Sequence, residues 1–192
     1  MTVRSIYLPP YRIELDVRPG IHRVLPAIAL ARCLAAALQA GGAPEPVSAG
    51  LILADDRELA RLNAAHLGKH GPTDVLSFPL LSPAAYPAHP GRPEGAEQGR
   101  TAPVFRLPPG VRLHLGEVVI SVERAVAQAE GGRGGQAGDV RWAAADELRL
   151  LVVHGGLHLC GWDHGEPEEE AAMRALERAV LGLHDGGEGG VG

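Results

Sequence analysis

The period of the apolar positions changes along the chain, and each change marks an element. In Tyr11–Val17 (YRIELDV) the apolar Tyr11 and Ile13 alternate with a less apolar side, as in a half-buried strand. Residues 25–39 are apolar, rich in Ala and Leu, and stop at Gly41-Gly42, which predicts a buried helix. Val47, Ala49, Leu51 and Leu53 alternate again as a strand. Asp55, with Glu58 three positions on, reads as a capping box opening a helix over 56–66. Residues 72–80 read as a strand entered from a proline turn, and 113–122 as another with Gly116 near its middle. A short helix is expected from Glu123 to the Gly-Gly-Arg-Gly-Gly run at 131–135. Asp139 is then expected to cap a long helix ending near Leu159. Pro167 opens a last helix on which Met173, Leu176, Val180 and Leu183 form one apolar stripe.

Between the strands at 72–80 and 113–122, the segment 82–110 carries seven prolines and few apolar residues, so an exposed loop with nothing to bury is expected there. The Gly-rich end from Asp185 is expected to be disordered. Strands mixed with helices in this order, in a chain of 192 residues, predict one α+β domain over residues 1–184, with a small mixed sheet packed by helices.

Composition narrows the function. Apolar residues at 45% and charged residues at 21% support a packed core, whereas 4% aromatics argue against a base-stacking surface for nucleic acid. Residues 142–192 hold three arginines against ten acids, and the rest is mildly basic, so bulk capture of polyanions is not expected. Two cysteines, Cys33 and Cys160, make no disulfide framework. The opening MTVRSIYLPPYR lacks a secretion-signal pattern, and no apolar run is long enough for a bilayer. A cytoplasmic location and no membrane contact are expected.

The chemistry is concentrated in residues 154–164, HGGLHLCGWDH. His154 and His158 are four apart, so on a helix both imidazoles leave one face. Gly161 is placed to end that helix in the left-handed conformation and return His164 to the same point. Three imidazoles leave a tetrahedral Zn²⁺ with an open fourth position, the arrangement of a catalytic site at the end of a long helix. Cys160 falls on another helical face and reads as core. The spacing also fits zinc endopeptidases of the pattern H-E-x-x-H-x-x-G-x-x-H, but Gly155 stands where their general-base glutamate would be.

HGGLHLCGWDH resembles the H-G-x-L-H-L-x-G-x-D-H motif of the YbeY endoribonucleases, the rRNA maturation factors of bacteria. The likeness extends to Leu62-Asn63, Pro72-Thr-Asp-Val-Leu-Ser-Phe-Pro79, Leu115-Gly116-Glu117, Met173 and Leu176-Glu177. The resemblance implies a small mixed sheet with helices and one zinc ion per chain on His154, His158 and His164. It implies a metal-dependent endoribonuclease for single-stranded RNA, acting in rRNA maturation (16S rRNA 3′ end processing) and ribosome quality control. The implied partners are rRNA, the small ribosomal subunit and its assembly factors.

The chain departs from the family pattern at two points. Leu67 occupies the place of an arginine that would clamp the scissile phosphate, and Glu117 stands where the family has Asp. Lys69 and Arg61 are the nearest remaining cations. Asp163, Lys69, Asp74 and Ser77 are the catalytic candidates: Asp163 either orients His164 and helps activate water or is an ordinary helix-end acid. Thr73, Asp74 and Ser77 either line the cleft or serve as turn residues. Glu166 and Glu168–Glu170 suit a helix N-terminus and receive no catalytic role. Two rival readings stand beside the nuclease: a zinc metallopeptidase-like hydrolase, which Gly155 opposes, and a non-catalytic metal-binding ribosome-assembly factor, which Leu67 favours.

Overall fold

Five strands make one mixed sheet in the computed structural model, which describes residues 3–92, 111–131 and 143–182. They are β1 (Val3–Leu8), β2 (Tyr11–Val17), β3 (Val47–Ala54), β4 (Val75–Pro79) and β5 (Leu113–Ser121). The sheet order is β1-β2-β3-β5-β4, with β2, β3 and β5 parallel and the two outer strands antiparallel to their neighbours. The helices are α1 (Ala27–Ala40), α2 (Asp56–Leu67), α3 (Val122–Glu130), α4 (Ala144–Leu159) and α5 (Pro167–Leu181), with a short 3-10 turn at Pro83–Ala85. This is the α+β architecture that the pattern of elements predicts.

The two sheet faces are used differently. Ile13, Leu15, Ala49, Leu51, Leu53, Val118 and Ile120 meet Leu30, Leu34 and Leu38 of α1 and Leu148, Val152 and Leu157 of α4 in the main core. On the opposite face Ala54, Leu76 and Val119 bury Leu59 of α2, with Ile52, Leu62 and Phe78 alongside. Successive strand residues point to opposite faces. On β4 Leu76 therefore packs toward α2, while Ser77 donates a hydrogen bond to the Gly155 carbonyl of α4, at 3.0 Å. The sheet separates α2 from α4.

Several expectations are corrected. The strand β1 is absent from the pattern reading because only Ile6 of its six residues is buried. Residues 72–74 precede the strand, which starts at Val75, and Ser121 ends β5 by capping α3, its hydroxyl accepting from Arg124 N at 3.2 Å. Asp55 caps α2 through Glu58 N (2.8 Å), but the box is half built, because the Glu58 carboxylate is taken by Arg18. The long helix starts at Ala144, not at Asp139, which lies outside the described residues, as do Leu183 and the 185–192 tail. The largest correction concerns the segment 82–110. Its described part packs on the core, with Tyr86 only 4% exposed and its hydroxyl donating to the Leu159 carbonyl at 2.6 Å. Among the described residues, no helix is long and apolar enough to cross a membrane.

Candidate metal centre

Helix α4 presents its histidines from a tightly inserted position. A side chain at Gly155 would strike Val118 and come within 3.2 Å of Ser77 and Val75, and one at Gly156 would come within 2.8 Å of Ala37 on α1. Glycine at both positions lets the helix lie against the sheet and α1 at once. His154 and His158 leave the remaining side. Gly161 takes φ +79°, and the chain turns back so that His164 joins them. The three ring centroids lie 4.6, 5.1 and 5.2 Å apart, and one ligand atom from each ring lies within 4.8 Å of the others.

The outward nitrogens are engaged by the protein. His154 Nδ1 is 2.7 Å from Glu177 Oε1, and His158 Nδ1 is 2.7 Å from the Trp162 carbonyl oxygen. A carbonyl can only accept, so His158 Nδ1 carries the hydrogen, and the Glu177 carboxylate imposes the same tautomer on His154. The two Nε2 atoms then face each other as lone pairs 3.1 Å apart. Two such lone pairs repel unless an electropositive atom lies between them. Nitrogens bound to one zinc ion in tetrahedral geometry stand about 3.3 Å apart. The donor set therefore fits a metal ion. Burial holds the His158 imidazole down at about 4, with His154 pushing the same way, so its ring is neutral at pH 7, the form that ligates.

The catalytic candidates are distributed unevenly. Asp163 adjoins the cluster: its Oδ1 accepts from His164 N at 2.8 Å, and its own N–H donates to Gly91 O at 2.7 Å. Ser77 touches the ligand helix through the Gly155 carbonyl. Asp74 is drawn toward α3 instead. Burial pushes its carboxyl upward, but hydrogen bonds from Gln128 Nε2 (2.9 Å), Thr73 Oγ1 (3.1 Å) and Val75 N (3.0 Å) outweigh that and hold it below the usual carboxylate range. Lys69, Leu67 and Arg61 are exposed on or just after α2, whose packing face lies across the sheet from α4. Among the described residues, no hydrogen bond or ion pair joins Lys69 to the histidines. Glu117 also points away from the cluster. Its carboxylate lies over Gly50 and pairs with His114 Nε2 at 2.9 Å, and His114 Nδ1 in turn meets Ser48 Oγ at 3.0 Å.

Glu177 is the functional candidate to which sequence reasoning assigned no role. It comes from a different helix, and its one signal is an acid set among Met173, Leu176 and Val180 on the apolar stripe of α5, where it is buried. Cys160 is buried in the core, its thiol against the Leu38 carbonyl, and takes no part in the cluster.

Fold and site together define a single-domain α+β protein whose three imidazoles are disposed to hold one metal ion. The model of the family described as endoribonuclease YbeY matches residues 27–184. An endoribonuclease YbeY of Roseiflexus castenholzii is 36% identical over 171 residues, covering 88% of this chain and 91% of that protein. That of Symbiobacterium thermophilum is 38% identical over 144 residues (75% and 76%), and that of Dehalococcoides mccartyi 30% over 183 residues (91% and 95%). The chain belongs to the endoribonuclease YbeY family.

Proposed function

We propose that this protein is a metal-dependent endoribonuclease that cuts single-stranded RNA in rRNA maturation, including the 3′ end of 16S rRNA, and serves ribosome quality control. The observation that carries the reading is the pair of Nε2 lone pairs 3.1 Å apart, with both Nδ1 atoms tied to protein acceptors. His154, His158 and His164 hold one zinc ion per chain. When bound, zinc supplies a Lewis acid that polarises a phosphodiester. Glu177 and the Trp162 carbonyl keep two of the rings in the ligating tautomer. Asp163 takes a proton from the attacking water, with its second oxygen steadied by the His164 amide. Ser77 and Asp74 hold β4 against α4 and α3, and Lys69 offers a cation to the RNA backbone. The setting is the cytoplasm, with the small ribosomal subunit and its assembly factors as partners.

Gly155 weighs against the peptidase reading on new grounds. Its position faces Val118, Ser77 and Val75 of the sheet, so a glutamate there would not reach the histidine cluster without displacing the helix. The test uses the purified full chain on labelled single-stranded RNA and on casein, with and without a chelator and zinc readdition. Chelator-sensitive RNA cleavage with casein intact is expected. Casein cleavage would reverse the assignment. Stoichiometric zinc with neither substrate cut would favour the non-catalytic assembly factor.

A further inference from the structure

The segment that follows β4 packs on the turn that carries His164 and on the residue that orients His158. It does so at separate points on both sides of that turn. Before the turn, the buried Tyr86 donates its hydroxyl to the Leu159 carbonyl at 2.6 Å, where the last carbonyls of α4 have no helical partner. At the turn, Gly161 has φ +79°, and an added side-chain atom there would lie 2.9 Å from Pro83 Cα. Above it, the His89 ring lies parallel on the Trp162 indole, centroids 4.1 Å apart and planes within 8°. After it, the Gly91 carbonyl accepts from Asp163 N at 2.7 Å. Gly91 is buried flat against the same indole, where any side chain would strike the ring.

Trp162 is thus fixed from outside by His89 and Gly91, while its carbonyl faces inward to His158 Nδ1 at 2.7 Å. We infer that Tyr86, His89 and Gly91 are positioning residues of the metal centre: Tyr86 through the Leu159 carbonyl at the end of α4, and His89 and Gly91 through Trp162, they hold His158 in the tautomer and orientation that ligate zinc. The inference rests on the zinc-site reading above. It assigns a role to a stretch whose proline content alone would leave it an idle connector. A ligand ring is held by the group that accepts its other N–H, and loss of such support weakens metal binding about ten- to hundredfold. Here the accepting group is a backbone carbonyl in a non-helical turn. Its place depends on whatever packs outside the turn, and the 86–91 stretch supplies that packing.

The test compares the parent full chain with His89→Ala, His89→Phe and Tyr86→Phe. Zinc affinity is measured by competition with a chromophoric chelator, and the His158 ring tautomer by ¹⁵N NMR of the metal-free protein. Parental zinc binding is expected to fall about tenfold or more in His89→Ala and Tyr86→Phe, with the His158 ring shifting to a mixture of tautomers. His89→Phe keeps a flat ring on Trp162 and is expected to bind zinc as the parent does. A general loss of stability would not move the ring tautomer of the folded protein. Tyr86→Phe removes one hydroxyl and keeps the buried ring, so it reports even where His89→Ala fails to fold. Unchanged affinity and tautomer in Tyr86→Phe and His89→Ala, or a His89→Phe variant as weak as alanine, would overturn the inference. A parent that binds no zinc would overturn the metal-site reading instead.

Discussion

His154 and Glu177 lie 23 residues apart on different helices, yet Nδ1 of the one and Oε1 of the other are 2.7 Å apart, with the glutamate buried. A buried carboxylate on the outer nitrogen of a ligand histidine fixes its tautomer and raises its basicity. Glu177→Gln keeps the shape but can present its amide N–H instead of an acceptor. Zinc affinity in that variant is expected to fall about ten- to hundredfold, measured by chelator competition, with RNA cleavage falling in parallel at limiting zinc. Parental affinity in Glu177→Gln would show that the contact is only packing.

Gly155→Ala is expected to destabilise the protein by about 1–3 kcal/mol, as overpacked core positions do, because the new methyl meets Val118, Ser77 and Val75. Chemical denaturation of the two proteins measures it. Gly155→Glu, which completes the zinc-peptidase motif in sequence, is expected to lose more stability and gain no casein cleavage. A stable Gly155→Glu variant that cut casein would restore the peptidase reading.

Leu67 is 55% exposed at the last position of α2, so an arginine there costs the fold little and sits favourably at a helix C-terminus. Leu67→Arg is expected to raise single-turnover cleavage of single-stranded RNA, on the order of a hundredfold for one transition-state donor, with zinc content unchanged. Assays of Arg61→Ala and Lys69→Ala show whether a cation already serves. If all three variants cut RNA as the parent does, the end of α2 lies off the substrate path.

Asp74 gives the fold a pH dependence of known sign. Its carboxyl is held below the usual range in the folded state, so the stabilisation is present above the unfolded pKa, about 3.9, and is lost as the pH falls through the folded value. Asp74→Asn is expected to cost on the order of 1 kcal/mol at pH 7, since Thr73, Val75 and Gln128 lose a charged acceptor. The gap between variant and parent should close in urea titrations below pH 4. A gap that persists undiminished at pH 3 would mean that the ionised form is not what those hydrogen bonds favour.

The histidine cluster was legible because its cause is local. Four-residue spacing on a helix and a glycine able to take φ +79° are properties of eleven consecutive residues. Glu177 was not, because nothing in α5 records which helix it will lie against. The start of α4 was misread for a related reason. Ala143 has no capping side chain, and Asp146 reaches back to its N–H at 3.2 Å, so the capping residue expected upstream at Asp139 is not where the helix begins. β1 escaped notice because an outer strand with one buried residue has no alternation to show. In the 82–110 segment the prolines suggest a loop with nothing to bury, whereas the packing of its described part, 82–92, turns on single residues, Tyr86 and His89, that no average reveals.

The paired glycines after His154 bear on how such centres arise. They are set by what lies behind the helix, a sheet strand at Gly155 and α1 at Gly156, while the chemistry faces the other way. The H-G-G-x-H order in this chain thus reflects thickness as well as ligands. Here α4, wedged between the sheet and α1, fits because the two residues that follow His154 have no side chains. A bulky residue at either position would push α4 off the sheet or off α1, and the histidine cluster would move with it.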